Sequence, residues 1–518
     1  MDVNEQEVLR FVKREVGGSD DVDVITTHGS IIVLAGDRAY KLKRHVRFPY
    51  LDYSTPDRRL TACRTEYELN KRTAPEIYIG VHEVTCDADG ELAWSGEGRL
   101  VDAVLEMRRF DQDCLFDRMA QHGALTPAIM TETARRIAEF HKEASVSFDH
   151  GGMQGIAAVL DINDRSLRAT DLISAEEADV FLAQFQRDLE RHGRLLEERR
   201  RAGKVRRCHG DLTLRNICLF EGRPTLFDCI EFDESMATTD LLYDVAFLLM
   251  DLWYRDQRTL ANIALNRYLD ECDETDGLAL VPYFMAIRAT VRAHVTAAQA
   301  KNSDPHAVPG LMREARHYHE LAHSLLAPSP PVLVAIGGFS GTGKSTVASL
   351  LAPDLGPAPG ARVLNSDRLR KLMHSVPVDQ KLPPSSYSAE RSAEVYEKLD
   401  HEAGRVLASG YAAIADAVFA RPDERDRIER VAQVAQARFH GFWLHAPVET
   451  LTARVTARRG GPSDATAEVV HMQFARDAGP VSWTQIDASR DAGLSRDQIL
   501  RTLEPNRRTD RPAGISQA

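Results

Sequence analysis

Apolar residues in the first two thirds of the chain follow two different periods. Residues 22–110 contain short apolar runs that predict strands, and a helical pattern near 57–72 interrupts them. In residues 111–326 the apolar positions recur at three- and four-residue spacing, which predicts helices. A strand–turn–strand pattern at 217–232 lies within this helical part. The order predicts a strand-rich lobe followed by a helical lobe, with the first strands at 31–34, 39–43 and 100–107.

From residue 332 onward, strand and helix patterns alternate. The predicted strands and helices of this part are 332–336, 344–351, 362–365, 390–409, 412–415, 423–436, 439–444 and 448–458. Such alternation predicts a parallel sheet with helices on both faces. The preceding segment 327–331 has three prolines in five residues, which cannot continue a helix and suit a short stiff linker.

These patterns predict an α/β multidomain protein. We expect one domain at 1–327, with a small lobe at about 1–110 and a helical lobe at about 111–327, and a second domain at 332–505. The polar tail at 506–518 contains Pro and Gly and is predicted to be disordered.

Composition and charge narrow the range of partners. The 518 residues are 43% hydrophobic and 27% charged, as in globular proteins, and are too many for one ordinary core. The net charge of −12 disfavours tight non-specific binding to nucleic acid, which requires clustered Lys and Arg. No apolar run approaches the ~18 residues of a membrane span, and the charged N-terminal segment lacks the apolar core of a signal peptide. We therefore expect a cytoplasmic protein, and the net charge is compatible with cationic or neutral small substrates without choosing among them.

A phosphate-binding motif opens the C-terminal part. Gly338-Phe-Ser-Gly-Thr-Gly343-Lys344-Ser345 matches G-x-x-x-x-G-K-[ST] and lies between a predicted strand and a predicted helix. Backbone amides of such a loop turn inward around phosphates, Lys344 reaches the β- and γ-phosphates, and the Ser345 hydroxyl binds Mg²⁺. The helix that follows points its positive end at the same anion. The motif predicts ATP and Mg²⁺ binding by Gly338, Ser340, Gly341, Thr342, Gly343, Lys344, Ser345 and Thr346.

The region after this motif resembles P-loop kinases of the gluconate kinase, polynucleotide kinase and zeta-toxin type. Val363-Leu-Asn-Ser-Asp367-Arg-Leu-Arg370 follows the second predicted strand of this part. The resemblance implies that Asp367 is the general base facing the acceptor hydroxyl and that Arg370, or Arg368, contacts the acceptor. The alternative is that Asp367 caps the next helix.

Three further residues extend this resemblance. Asp416 ends the third strand of this part, where it either holds Mg²⁺ through water, contacts substrate or is structural. Arg454 and Arg458 lie four residues apart, on one face of a predicted helix, in a segment that resembles the lid of such kinases. The resemblance implies that these arginines neutralise charge on the transferring phosphoryl group. The alternative is a solvated helix face.

A second signature lies in the N-terminal part. Cys208-His209-Gly210-Asp211-Leu212-Thr-Leu-Arg-Asn216 is followed by Thr225-Leu-Phe-Asp228. It resembles the catalytic loop of the aminoglycoside phosphotransferase and choline kinase superfamily, a branch of the protein-kinase fold. The resemblance implies that Asp211 orients or deprotonates the acceptor hydroxyl and that Asn216 and Asp228 hold Mg²⁺. His209, Asp240 and Asp244 are expected to brace this loop, although Asp244 equally suits a helix cap.

Upstream residues fit the same plan. Lys41 and Lys43 lie on one face of a predicted strand, because side chains alternate along a strand. One of them should reach the α- and β-phosphates; we favour Lys41, and Lys43 stays open. Glu66, on the following predicted helix, is expected to pair with that lysine. A full Gly-x-Gly-x-x-Gly is missing from this region, which puts the ATP contacts in doubt more than the fold.

Together the motifs predict a bifunctional ATP-dependent kinase with two Mg²⁺ sites and small-molecule hydroxyl acceptors. One alternative is a P-loop kinase gated by a regulatory, catalytically weak phosphotransferase-like domain. Another is a nucleotide-sugar or polynucleotide kinase at the P-loop site, against which the acidic charge of the chain counts mildly.

Overall fold

The computed structural model describes residues 3–17, 22–48, 51–301, 303–476 and 478–503. The predicted tail at 506–518 lies outside these residues. The chain forms two compact units: unit 1 is Met1–Leu260 with Phe284–His323, and unit 2 is Ala261–Tyr283 with Ser324–Ala518. Segment 261–283, which the sequence analysis assigned to the first domain, therefore belongs to the unit that contains the P-loop.

Within the described residues, a six-stranded antiparallel sheet forms the first part of unit 1. Its strand order is β1-β2-β3-β8-β6-β7. The strands of this part, with the small β4–β5 pair, are β1 (Asp23–Thr26), β2 (Ser30–Ala35), β3 (Arg38–Lys43), β4 (Arg47–Phe48), β5 (Leu51–Asp52), β6 (Tyr78–Cys86), β7 (Leu92–Trp94) and β8 (Arg99–Arg108). Helices α1 (Glu5–Gly17) and α2 (Pro56–Asn70) accompany the sheet.

Each of these two helices covers one face of the sheet. Val8 and Phe11 of α1 pack with Leu42 of β3, whereas Cys63 of α2 packs with Ala39 of the same strand. Because side chains alternate, the residues two and four positions beyond Ala39 share the face that α2 covers. Strand alternation therefore directs Lys41 and Lys43 towards α2.

Between residues 116 and 325 the chain is mainly helical. The helices are α3 (Phe116–Gln121), α4 (Pro127–Glu143), α5 (Gly152–Arg168), α6 (Ala175–Arg201), α7 (Glu234–Ala237), α8 (Leu241–Tyr254), α9 (Arg258–Glu271), α10 (Val281–Ala300) and α11 (Val308–Leu325). Two short antiparallel pairs interrupt them: β9 (Val205–Arg207) with β12 (Thr238–Asp240), and β10 (Ile217–Phe220) with β11 (Arg223–Leu226). Among the described residues, no helix combines the length and the apolar character that crossing a bilayer requires.

Parallel strands in the order β14-β15-β13-β16-β17 form the sheet that the structure describes in unit 2. The strands are β13 (Val332–Gly337), β14 (Arg362–Asn365), β15 (Ala413–Asp416), β16 (Arg438–His445) and β17 (Thr484–Asp487). The helices are α12 (Lys344–Leu351), α13 (Ser366–Met373), α14 (Ala389–Ala408), α15 (Pro422–Val434), α16 (Val448–Ala457), α17 (Ala467–Ala475) and α18 (Ala492–Leu503). The carboxyl ends of β13, β14 and β15 meet at one edge, where ligands of open α/β sheets bind.

The predicted alternation of strands and helices in unit 2 is confirmed, and four elements were missed. β17 escaped prediction because only Ile486 of its four residues is buried, so it carries no apolar run. α13, α17 and α18 are short, with 8, 9 and 12 residues, and offer the helical period few turns in which to repeat.

Strand β14 is an edge of this sheet, and asparagine side chains from segment 261–283 form hydrogen bonds with backbone groups at this edge. Asn266 accepts a hydrogen bond from the Val363 amide at 2.8 Å and donates to the Ala361 carbonyl at 3.2 Å. Asn262 donates to the same carbonyl at 3.1 Å. An edge strand otherwise presents unpaired amides and carbonyls. The asparagines thus take the place of a neighbouring strand.

Asp270 extends this contact to helix α13. Its carboxylate lies 2.8 Å from Arg362 and 3.5 Å from Arg368, and Arg267 also faces it at 2.9 Å. Burial opposes ionisation of Asp270, but Arg267 and Arg362 outweigh it and lower the pKa of this carboxyl. Because Arg368 follows Asp367 directly, segment 261–283 helps to hold the helix that carries the predicted base.

We expect Asn266→Ala to destabilise unit 2 by about 1–3 kcal/mol, because it leaves the partly buried Val363 amide without its acceptor. Urea unfolding followed by tryptophan fluorescence in a Trp94→Phe/Trp253→Phe background reports unit 2 through Trp443 and Trp483. Gln498→Ala, an exposed amide-to-methyl change on α18, is the matched control. Equal unfolding midpoints for the two variants would contradict a role of Asn266 at the sheet edge.

Candidate functional site

Two lysines of β3 share a buried glutamate in unit 1. The Lys41 Nζ lies 2.7 Å from one oxygen of Glu66 and 2.6 Å from the Asp228 carboxylate. The Lys43 Nζ lies 2.5 Å from the other oxygen of Glu66 and also contacts Glu231. The structure therefore brings Glu66 to both predicted lysines, and it places Lys41 beside the predicted metal ligand Asp228.

Opposite charges keep this network ionised although most of its groups are buried. Burial opposes the charge of Lys41, but Asp228 and Glu66 outweigh it and raise the pKa of Lys41 well above its ordinary value. Glu231 and Glu66 do the same for the pKa of Lys43. Burial likewise opposes the charge of Asp228, and Lys41 lowers the pKa of this carboxyl. Two ammonium groups therefore stand among carboxylates in this part of unit 1.

The predicted catalytic loop folds back on itself. The Asn216 amide donates to the Asp211 carboxylate at 2.8 Å and to its backbone carbonyl at 2.9 Å. The Phe227 amide donates to the Asn216 carbonyl at 3.0 Å. Because Phe227 precedes Asp228, this bond brings the segment with Asp228 to the loop with Asp211 and Asn216.

Buried side chains brace the loop from behind. Asp244 accepts hydrogen bonds from the amides of His209 at 3.3 Å and Gly210 at 2.8 Å, and His141 contacts it at 3.1 Å. The His209 ring contacts the carbonyl of Phe227 at 2.9 Å. The bracing roles predicted for His209 and Asp244 are confirmed.

Asp240, not Asp244, caps helix α8. Its carboxylate accepts from the Leu242 amide at 2.8 Å and pairs with buried Arg199 at 2.8 and 2.9 Å. The alternative that Asp244 is the helix cap is therefore wrong, because Asp244 lies one turn inside the helix, where the loop amides reach it.

Sequence reasoning missed Glu231 and Tyr53. The Tyr53 hydroxyl donates to Glu231 at 2.6 Å, and Glu231 in turn holds Lys43. A signal for Glu231 was present, since it follows the predicted metal ligand Asp228 by three residues. Tyr53 lies in a connection between β5 and α2, where no periodicity indicates burial.

Asp228 adopts a backbone conformation that few residues other than glycine favour. Its φ is 63°, in the left-handed region that aspartate tolerates better than most side chains. The next amide, of Cys229, donates to buried Asn70 at 2.9 Å, and the Ile230 amide donates to the His209 carbonyl at 3.0 Å. Tertiary hydrogen bonds thus hold the turn that presents the Asp228 carboxylate to Lys41.

In unit 2, close backbone contacts require glycine at two positions of the P-loop. Gly338 and Gly341 have φ values of 137° and 89°. A Cβ atom at Gly338 would lie 2.4 Å from the Leu444 carbonyl oxygen, and one at Gly341 would lie 2.6 Å from that of Leu451. No larger residue fits at either position without moving the backbone.

A cavity of roughly 860 Å³ lies over the P-loop. The predicted residues that line it are Ser340, Gly341, Gly343, Lys344, Ser345, Thr346, Asp367, Arg370, Asp416 and Arg458. Thr342 is buried instead, and its hydroxyl donates to the Phe339 carbonyl at 2.8 Å, within the loop. The structure thus gathers most of the predicted C-terminal site around one space.

Asn365 connects the predicted metal ligands and was missed by sequence reasoning. Its amide donates to the Ser345 hydroxyl at 3.1 Å and to the Asp416 carboxylate at 2.5 Å. Its side-chain oxygen accepts from the Arg368 amide at 2.9 Å and caps α13. The alternative that Asp367 caps this helix is therefore wrong. The available signal was the position of Asn365 at the end of a strand, two residues before the predicted base.

Burial sets the ionisation of the catalytic candidates in this cavity. It raises the pKa of Asp367, against the favourable charge of Lys344 and a hydrogen bond from Ser463. It also raises the pKa of Asp416 and lowers that of Lys344. All three shifts disfavour charge, so bound phosphates and cations would restore the ionised forms.

The two predicted lid arginines do not share a helix face. Helix α16 ends at Ala457, and Arg458 is extended, with φ −61° and ψ 134°. Arg458 lines the cavity and donates to the Ser463 carbonyl at 3.4 Å. Arg454 instead donates to the carbonyls of 488, 489 and 490 at 2.7–3.1 Å. The shared face was predicted wrongly because the helix stops one residue before Arg458.

The lid segment also reaches the P-loop. Gln473 of α17 accepts a hydrogen bond from the Ser340 amide at 2.8 Å. P-loop amides of this kind bind phosphate oxygens. The glutamine oxygen therefore stands where such an oxygen is expected.

Two mycobacterial proteins are similar to this chain over most of its length. The Uncharacterized protein Rv2004c of Mycobacterium tuberculosis is 30% identical to this chain over 482 residues, which cover 90% of this chain and 92% of that protein. The chain belongs to the same family. The Uncharacterized protein Mb2027c of Mycobacterium bovis is also a member, with the same identity and coverage.

Two domain models match this chain. The model of the phosphotransferase enzyme family matches residues 87–280, and the AAA domain model matches residues 333–480. The predicted fold class, a protein-kinase-like domain followed by a P-loop α/β domain with a parallel sheet, is confirmed. The chain is a kinase.

Solved structures that are similar to this chain include two kinases. A sugar kinase from Janibacter sp. is 19% identical, with 34% of this chain and 95% of that chain covered and a TM-score of 0.27. A choline/ethanolamine kinase family protein from Mesorhizobium loti is 11% identical, with 61% and 98% covered and a TM-score of 0.36.

Methionine substitutions are expected to distinguish the roles of the two lysines of β3. Lys43→Met leaves Glu231, whose side chain is 7% exposed, without its ion-pair partner. The substitution should therefore lower stability by about 3 kcal/mol. Lys41→Met leaves Glu66 paired with Lys43 and Asp228 partly solvated, so it should cost about 1 kcal/mol while weakening ATP use at least tenfold. Thermal unfolding and ATP titration measure both effects. The reverse pattern would make Lys43 the phosphate-binding lysine.

The raised pKa of Asp367 predicts an unusual acid limb in the pH profile of the P-loop site. A general base works only when deprotonated, so activity should fall as the pH drops through the raised pKa, above the ordinary value of about 4. The profile of kcat/KM is measured in an Asp211→Asn background, in which the first site is silenced. Asp367→Glu should move the limb. A limb below pH ~4, or one that Asp367→Glu leaves in place, would argue against Asp367 as the base.

Proposed function

We propose that this kinase is bifunctional and transfers the γ-phosphoryl group of ATP to hydroxyl groups of small molecules at two separate sites. The observation that carries the proposal is the assembled contact of Lys41 with Glu66 and Asp228 in unit 1. A working kinase site requires the lysine–glutamate pair and the metal-binding aspartate to be in place together. The residues around the P-loop cavity of unit 2 form the second proposed site.

At the first site, Lys41 binds the α- and β-phosphates, and Asp211 accepts the proton of the acceptor hydroxyl or orients its oxygen. Asn216 and Asp228 would hold Mg²⁺, because hard cations take oxygen ligands and the Asp228 side chain keeps 41% of its surface exposed. The Asn216 amide positions Asp211 by two hydrogen bonds.

At the second site, the P-loop amides and Lys344 bind the phosphates, and Arg458 faces the transferring group. Ser345 and Asp416 would hold Mg²⁺, and the hydrogen bonds from Asn365 keep these two oxygens together. Asp367 takes the proton of the acceptor hydroxyl as its oxygen attacks phosphorus. Bound at either site, Mg²⁺ neutralises charge on the phosphates.

An untargeted assay tests the proposal. The full chain is incubated with ATP, Mg²⁺ and a metabolite extract, and mass spectrometry identifies metabolites that gain a phosphoryl group. We expect two sets of products, one reduced about 10²–10⁴-fold by Asp211→Asn and one by Lys344→Ala. The exposed changes Asp149→Asn and Lys13→Ala serve as controls and should leave both sets unchanged.

The assay also separates the alternatives. If Lys344→Ala removes every product and Asp211→Asn removes none, the phosphotransferase domain is a regulatory module that gates the P-loop site. If no metabolite gains a phosphoryl group in any sample, small molecules are not the acceptors.

A further inference from the structure

The turn at Asp228 presents two successive backbone amides to buried side chains. The Asp228 amide donates to the Tyr78 hydroxyl at 3.1 Å, and the next amide, of Cys229, donates to Asn70 at 2.9 Å. Tyr78 is 3% exposed and Asn70 is fully buried. Most backbone amides inside proteins bond to other backbone groups. At this turn, two side chains from distant parts of the chain take that place.

Both side chains are fixed by the elements that carry them. Tyr78 is the first residue of β6, pairs with Met107 of β8 and packs in the apolar cluster between the sheet and α2. Asn70 is the last residue of α2, and its side-chain amide donates to the Glu66 carbonyl at 2.9 Å. The positions of the two acceptors are therefore set by β6 and by the helix that carries Glu66.

The turn depends on these acceptors because its backbone conformation is unfavourable. Asp228 has a φ of 63°, and a residue with a side chain enters this left-handed region only at an energetic cost. Such strained conformations persist where the surrounding structure fixes them. Hydrogen bonds to Tyr78 and Asn70 therefore stabilise the conformation in which the Asp228 carboxylate lies 2.6 Å from Lys41.

A phenol is well suited to hold this turn. Burial, together with the nearby charges of Glu66 and Asp228, raises the pKa of Tyr78 well above its ordinary value. The hydroxyl therefore stays protonated, and its oxygen accepts the Asp228 amide without adding a further negative charge beside the carboxylates. Phenylalanine would occupy the same apolar space but would offer the amide no acceptor.

We propose that Tyr78 and Asn70 are positioning residues that set the affinity of the first site for Mg²⁺, because they hold Asp228 in the conformation that leaves its carboxylate available to the metal. The Asp228 side chain keeps 41% of its surface exposed while its backbone is held from behind. This inference rests on the proposed Mg²⁺-binding role of Asp228 and adds the residues that control it.

Loss of either acceptor should affect the metal more than the nucleotide alone. An amide without its acceptor lets the turn relax, so fewer molecules hold Asp228 in the competent conformation, and the apparent affinity for the metal falls by that fraction. Lys41 keeps its contact with Glu66 at 2.7 Å. Contacts with ATP that need no metal should therefore persist.

Titration calorimetry of ATP tests the inference in a Lys344→Ala background, in which the P-loop site is silenced. Each chain is titrated once with saturating Mg²⁺ and once with EDTA, and the ratio of the two dissociation constants gives the Mg²⁺ enhancement. Asp228→Asn should remove most of the enhancement. Tyr78→Phe should lower it by about tenfold, as expected when one buried amide loses its acceptor, and should leave the dissociation constant in EDTA unchanged.

Tyr40→Phe is the matched control, because it removes a hydroxyl from the same sheet. The Tyr40 hydroxyl contacts Glu106 at 3.5 Å, away from the turn, so this variant should leave both dissociation constants unchanged. Asn70→Ala tests the second amide of the turn independently and should also lower the Mg²⁺ enhancement. An unchanged dissociation constant in EDTA shows that a variant is folded.

The outcomes separate this inference from the function on which it rests. If Tyr78→Phe and Asn70→Ala keep the parent's Mg²⁺ enhancement, or weaken ATP binding equally with and without Mg²⁺, the inference is overturned. A loss of enhancement in Asp228→Asn would then leave the metal-binding role of Asp228 standing. If Asp228→Asn also keeps the full enhancement, that proposed role fails, and this inference fails with it.

Discussion

The N-terminal site depends on one buried carboxylate that two lysines share. Glu66 is fully buried and bonds Lys41 through one oxygen and Lys43 through the other. Each lysine then reaches a second carboxylate, at Asp228 or Glu231. A buried ammonium is stable only beside such partners. Sheet, helix α2 and the turn at 228 must therefore all be in place before Lys41 is positioned for phosphate.

In unit 2, a neutral residue holds the elements of the site together. Asn365 caps α13, holds Ser345 and Asp416 together and thereby connects the P-loop to the helix that carries Asp367. An amide suits this position because it donates and accepts at once. The donor faces the two oxygens proposed to hold Mg²⁺, and the acceptor faces a helix amide. One side chain thus connects the P-loop, the end of β15 and the start of α13.

Much of the site could be predicted because its motifs lie in short segments. The P-loop from Gly338 to Ser345 and the run from His209 to Asn216 carry their spacing in the chain itself, and strand alternation put Lys41 and Lys43 on one face. Residues that act across distance could not be found in this way. Tyr53 reaches Glu231 over 178 positions, and Asn266 reaches β14 over 97. No local period or spacing records such contacts.

The sequence by itself determined the order of strands and helices and the residue types of both sites, because apolar periods and short motifs are local properties of the chain, and the resemblance of the run from His209 to Asp228 implied the fold of unit 1. Only the tertiary structure decided which carboxylates pair with which cations, that Asn365 rather than Asp367 caps α13, that Arg454 points away from Arg458, and that segment 261–283 covers an edge of the P-loop sheet. Ion pairs, helix ends and sheet edges depend on which distant groups share low-dielectric space, and chain order does not encode that proximity directly.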